Sequence, residues 1–140
     1  MSSQPPTRSK RVLLVDGDFR TSERLASLLR EDGYEVEVSR DGLGALASLA
    51  RAPSPDVLVT ELSVPLADGA TIARFALSQA PTMQVVVLTR YPNLAVPAAF
   101  GATPLAVLSK PLDYGRLLEL LKATPAHAAG GAIRAASPQS

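Results

Sequence analysis

The segment Pro55–Gly69, PDVLVTELSVPLADG, constrains what this chain can fold into more than any other stretch. Val57, Leu58, Val59 and Thr60 follow one another without a charge and end on one carboxylate, Glu61. Bulky apolar residues in unbroken succession indicate a strand covered on both faces, as in a parallel sheet. A carboxylate at the carboxyl end of such a strand stands where open α/β sheets place their chemistry. A loop containing Pro65 follows, and the Asp68-Gly69 turn leads into a helical pattern.

The rest of the chain repeats that unit. Arg11–Val15 is a short apolar strand ending in the acidic turn Asp16-Gly17-Asp18, and residues 19–32 carry Leu25, Leu28 and Leu29 on one helical face, with Asp18 as cap and Gly33 as stop. Tyr34–Val38 alternates apolar and acidic residues, the pattern of an edge strand with one wet face. Asp41 caps a second helix with a stripe of Ala45, Leu46, Leu49 and Ala50, closed by Pro53 and Pro55. After the central strand, a helix over about residues 70–80 buries Ile72, Ala73, Ala76 and Leu77, and Pro81 stops it. Val85–Leu88 is a second doubly buried strand, ending at Thr89. Three prolines in residues 90–104 leave room for only a short helix, with Pro97 in its first turn. Leu105–Leu108 is the fifth strand, ending at Ser109-Lys110-Pro111. Asp113 then caps a helix with Tyr114, Leu117, Leu118 and Leu121 on one face.

Five strand–helix repeats over residues 11–122 predict an α/β fold: a five-stranded parallel sheet, doubly wound, with right-handed crossovers and helices on both faces. Residues 1–10 are expected to form a disordered tail, and residues 123–140, rich in Ala, Gly, Pro and Ser, a flexible tail or linker. Four of the five strands end in polar side chains: Asp16 and Asp18, Glu61, Thr89, and Lys110.

Composition narrows the function classes. The chain has no Cys, which removes disulfides and thiolate metal sites. No apolar run approaches the roughly 18 residues that span a bilayer, and the first ten residues lack the apolar core of a signal peptide. A cytoplasmic protein with no membrane contact is the expectation. All thirteen acids lie between Asp16 and Glu119, and over residues 11–122 they face eleven bases, so the net charge of +1 comes from Arg8, Lys10 and Arg134. That is not the clustered basic face of a nucleic-acid binder.

With these motifs in place, the chain resembles the receiver domain of two-component response regulators over roughly residues 10–122. Four spaced motifs carry the resemblance: VLLVDGD, PDVLVTELSVPLADG, VVVLT and VLSKP. The resemblance implies a flavodoxin-like three-layer sandwich with strand order 2-1-3-4-5. Carried across by position, it puts Glu61 at the phosphoacceptor station and the acids around Asp16 at a Mg²⁺ site. Thr89 becomes the switch hydroxyl, and Lys110, with a cis bond to Pro111, the cation that neutralises the phosphoryl group.

Several stations depart from the pattern. The acceptor is Glu61 instead of Asp, and one extra methylene moves the nucleophile by about 1.5 Å, where roughly 1 Å can cost 10²-fold. Gly17 stands where a carboxylate contacts the metal, leaving Asp16, with Asp18 as a displaced substitute. Mg²⁺ prefers near-octahedral oxygen ligands including one or two carboxylates, so metal affinity is expected to be weak or absent. Arg90, a gate residue beside Thr89, is placed to pair with Glu61 in bidentate fashion. Val107 occupies the position of the switch aromatic. Asp56, about 16 Å from Glu61 by strand rise, is at the wrong end of the strand to substitute as acceptor. Plainer roles compete throughout: Asp16 and Asp18 as turn-former and helix cap, Thr89 as a backbone-bonded hydroxyl, Lys110 as the ion-pair partner of Glu61.

The expectation is a degenerate receiver, without catalytic activity or cofactor, that binds a protein partner through the face of repeats four and five (residues about 90–122), a second copy of the chain being one candidate. Two alternatives stand beside it. One is a working receiver with residual Mg²⁺-dependent phosphotransfer. The other is a small flavodoxin-like cofactor binder, which lacks a Gly-rich phosphate loop after any strand.

Overall fold

The computed structural model describes residues 9–91 and 105–123. The elements run β1 (Arg11–Val15), α1 (Phe19–Glu31), β2 (Glu35–Ser39), α2 (Gly42–Ala50), β3 (Val57–Glu61), α3 (Gly69–Gln79), β4 (Gln84–Thr89), β5 (Ala106–Ser109) and α4 (Tyr114–Lys122). The five strands form one parallel sheet in the order β2-β1-β3-β4-β5. This is the doubly wound sheet expected of the alternating pattern, in the flavodoxin-like strand order that the resemblance implied.

Strand alternation sorts the core into two layers. Leu13, Val15, Leu58, Val85 and Val87 point to the layer closed by Ala45 and Leu49 of α2 and Ile72, Ala73 and Ala76 of α3. Val12, Leu14, Val57, Val59, Val86, Leu88 and Leu108 point to the other, closed by Leu25, Ala26 and Leu29 of α1 and Leu117 and Leu121 of α4. The unbroken apolar runs of β1, β3 and β4 reflect burial on both faces, whereas β2, at the edge, keeps Glu35 and Glu37 exposed.

Each described helix opens on an aspartate whose carboxylate takes an orphaned backbone N–H. Asp18 accepts from Arg20, Asp41 from Gly44, Asp68 from Thr71 and Asp113 from Arg116, at 2.7–3.3 Å. At Asp68 the Thr71 N–H holds the carboxyl below its ordinary range. Gly33, at φ +97°, turns the chain after α1, and its N–H reaches Arg30 O.

The structure corrects several details of the sequence pattern. Ala50 is exposed and Leu77 only half-buried, because α2 and α3 each meet the sheet through a narrower stripe. On α4 it is Leu120 that packs on the core beside Leu117 and Leu121, and Leu118 is half-buried outside that cluster. Lys10 belongs to the fold and not to the tail. Its ammonium caps Leu121 O at 2.6 Å, and its carbonyl accepts from Glu35 N at 3.0 Å. The remaining tail residues 1–8 and 124–140, and the short helix around Pro97, lie outside the described residues. Ala52–Pro53 and Lys110–Pro111 are both cis. Among the described residues no helix is long and apolar enough to cross a membrane.

Tyr114 ties the last helix to the first. Its hydroxyl lies 2.7 Å from Asp32 Oδ2 and 3.1 Å from Leu28 O. Burial, then the Asp32 carboxylate, pushes the phenol well above the ordinary tyrosine range. Tyr114→Phe is expected to lower stability by about 1 kcal/mol at neutral pH, measured by urea unfolding. A phenol whose folded pKa is raised stabilises fully below its ordinary value near 10 and loses that contribution as pH rises beyond it. The difference between the two proteins should therefore shrink in strong alkali.

Candidate functional site

The site is built where the sheet's hydrogen-bond ladder runs one residue past the strand ends. Register aligns Val15 with Thr60, Glu61 with Leu88, and Thr89 with Ser109. Beyond it, Asp16 N donates to Ser39 O, Leu62 N to Leu88 O and Lys110 N to Thr89 O, at 2.9–3.1 Å. These bonds hold the backbone of Asp16, Glu61, Thr89 and Lys110 at one edge of the sheet.

Glu61 forms an ion pair with Lys110, Oε2 against Nζ. The Lys110 side chain starts on β5 and crosses the end of β4 to reach Glu61 on β3. Its ammonium also lies 3.8 Å from Asp16 Oδ2 on the far side. Lys110 and Glu61 are mostly shielded, and Asp16 is 1% exposed. One Asp16 oxygen accepts from Asp18 N at 2.9 Å, whereas Oδ2 is buried with no hydrogen-bond partner. One cation thus faces two carboxylates in a shielded place, where charge interactions are strong.

The other sequence-singled residues take different places. Asp18 is a helix cap: one oxygen accepts from Arg20 N and the other from Thr21 Oγ1 at 2.8 Å. The Thr21 bond holds its carboxyl below the usual range. Gly17 is exposed, with room at its Cα bounded by Pro65 Cδ at 3.3 Å and Arg40 O at 3.7 Å from where a Cβ would stand. Thr89 is buried, and its hydroxyl oxygen accepts from Tyr91 N at 3.1 Å. Arg90 does not reach Glu61: Lys110 is the acid's partner among the described residues, and Arg90 is exposed. Strand alternation explains this, since Thr89 points inward and its neighbour must point out. Arg90 and the 62% exposed Tyr91 instead line a cleft of about 250 Å³ beside Glu61, Thr89 and Lys110. Val107 packs half-buried against the α2–α3 layer. Asp56, at the opposite end of β3, accepts from Arg11 N at 2.8 Å. Among the described residues no group of three or more His, Cys, Asp and Glu is arranged to hold a metal ion.

Two features of the loop after β3 were not singled out from sequence. Gly69 packs its Cα against the Glu61 carbonyl, so no side chain fits there. Leu66, 69% exposed, adopts φ +76°, a left-handed backbone that costs a branched residue roughly 1–2 kcal/mol. The Asp68-Gly69 pair was the available sign of the first. Nothing in the composition of the loop marks the second.

Comparison with known proteins places this geometry. A family model described as the response regulator receiver domain matches residues 12–122. A response regulator receiver protein of Anaeromyxobacter sp. (strain Fw109-5) is 37% identical over 112 residues, which are 79% of this chain and 47% of that protein. The response regulator MprA of Mycobacterium leprae is 33% identical over 114 residues, 81% of this chain and 50% of the relative. The chain thus spans about half the length of the curated relatives it matches. Among solved structures, the signal receiver domain of an HD domain-containing protein from Pseudomonas fluorescens Pf-5 superposes with a TM-score of 0.75 at 30% identity, covering 87% of this chain and 90% of that one.

Proposed function

The chain belongs to the response regulator receiver family of two-component signalling, and from that premise we propose that it is a receiver whose output does not depend on phosphorylation, working as a protein–protein interaction module. The observation that carries this reading is the ion pair of Glu61 with Lys110. The residue at the acceptor station is already engaged by the cation that would otherwise meet an incoming phosphoryl group. In-line attack on phosphorus requires a free, correctly placed oxygen, and Glu61 is both longer than Asp and held.

The donor set agrees. A Mg²⁺ ion beside the acceptor needs carboxylate oxygens open to it. Gly17 supplies none, both oxygens of Asp18 are committed to the first turn of α1, and the free oxygen of Asp16 faces Lys110. With Lys110 placed against Asp16 and Glu61, these residues do not fit the ion the family implies. Binding is proposed to use the face of the fourth and fifth repeats, with a protein partner or a second copy of the chain as occupant. Arg116, Glu119 and Lys122 are exposed on α4, and Arg90 and Tyr91 are exposed at the end of β4.

Intact-mass measurement after incubation with acetyl phosphate and MgCl₂ tests the reading. The expected result is an unchanged mass. An adduct of about 80 Da, the mass of a phosphoryl group, removed by hydroxylamine would overturn it and establish a working receiver.

A further inference from the structure

The misfit between the site and a divalent ion has its own physical content. Two acids, Asp16 and Glu61, come together at the ends of β1 and β3, and a bare pair of shielded carboxylates is strongly unfavourable. Something must supply positive charge between them. In this chain the charge sits on the Lys110 ammonium, against Glu61 and 3.8 Å from Asp16 Oδ2. That Asp16 oxygen is buried and accepts no hydrogen bond, so Lys110 is the cation nearest to compensating it among the described residues.

We propose that Lys110 is the resident cation of this pocket, standing in electrostatically for a divalent ion and excluding it, so that the folded chain is insensitive to Mg²⁺. The ammonium is tethered to β5 through a chain held by Lys110 N on Thr89 O. It needs no ligand from Gly17 and no octahedral shell. It also leaves Asp16 Oδ2 as the latent half of a two-carboxylate site that opens only when the lysine charge is removed. This inference shares its pocket with the proposed function, but the two can fail separately. The adduct experiment asks whether Glu61 attacks phosphorus, and the experiment below asks which cation holds the acids.

Thermal unfolding of the full chain, followed by circular dichroism in millimolar MgCl₂ and in NaCl of matched ionic strength, tests it. The wild-type melting temperature is expected to be the same in both salts. Lys110→Met, which keeps the length and removes the charge, is expected to melt about 10 °C lower in NaCl, because removing one partner strands a shielded charge. It should recover at least half of that loss in MgCl₂, since Asp16 and Glu61 together offer the one or two carboxylates that Mg²⁺ uses. Glu61→Gln/Lys110→Met removes one acid with the cation, and is expected to melt above Lys110→Met in NaCl and to lose the Mg²⁺ response. Stabilisation of the wild type by Mg²⁺ to the same extent as Lys110→Met would overturn the proposal, as would a Lys110→Met protein indifferent to the choice of salt. Should Lys110→Met fail to fold in both salts, the double variant decides: its folding supports the charge account, and its failure overturns it.

Discussion

A chain carrying both Glu61→Asp and Gly17→Asp is expected to acquire a phosphoryl group from acetyl phosphate in Mg²⁺ at least about 100-fold faster than the wild type, read as an adduct of about 80 Da. The estimate rests on placement. Shortening Glu61 withdraws its oxygens by roughly one C–C bond, to the depth from which an aspartate attacks, and loosens the grip of Lys110. Asp at position 17 would supply the second carboxylate that the proposed reading finds missing from the metal station. Gly17 is exposed, and a Cβ there would stand 3.3 Å from Pro65 Cδ and 3.7 Å from Pro65 Cγ and Arg40 O, so the proline ring has to give by a few tenths of an ångström to admit it. Neither change alone should suffice, since one repairs the nucleophile and the other the metal. An unreactive double variant that is folded by circular dichroism would mean that the block lies elsewhere, with the exposed Arg90 and the fourth-strand hydroxyl Thr89 the first places to look.

The second large effect is structural and falls on the same site. Gly69→Val is expected to cost at least about 3 kcal/mol of unfolding free energy, at the upper end for overpacking a tight position. A Cβ at Gly69 would overlap the Glu61 carbonyl oxygen and stand 3.0 Å from Leu62 Cα. Those atoms are backbone, so no side chain can swing aside to admit it. The Gly69 N–H also donates to Leu62 O at 2.8 Å, closing the loop that carries Pro65 and Leu66 back over the sheet edge. Denaturant unfolding monitored by circular dichroism measures the cost. A loss below about 1 kcal/mol, the scale of an ordinary surface substitution, would show that the loop is free to move away. Where the variant remains folded, displacement of the Glu61 carbonyl should also weaken its pairing with Lys110.

These two expectations draw on different kinds of legibility. The place of Glu61 in the site was readable because it ends an apolar run, and the ends of parallel strands are where side chains collect. The partner of that acid was readable only as a choice between two cations, and the structure selects Lys110. From the chain alone, Arg90 and Lys110 were both cations at strand ends, and Arg90 offered the better fork for a carboxylate. Asp18 likewise read equally as metal ligand and as helix cap, and its bonds to Arg20 N and Thr21 Oγ1 assign it to the helix. On α4, helical spacing admitted Leu118 and Leu120 alike, and only the position of the helix against the sheet selected Leu120.

By itself, the sequence determined the succession of strands and helices and the polar residues standing at strand ends. Those features follow from local rules, the period of apolar residues and the capping of helix termini, which act within a few positions of the chain. Only the tertiary structure decided that Lys110 and not Arg90 crosses the end of β4 to hold Glu61, that one oxygen of Asp16 is buried beside it without a hydrogen bond, and that Gly69 lies against the Glu61 carbonyl. Each is a meeting of residues far apart in the chain or folded back across a loop. Which groups meet there depends on strand register and loop path, and local patterning carries no record of either.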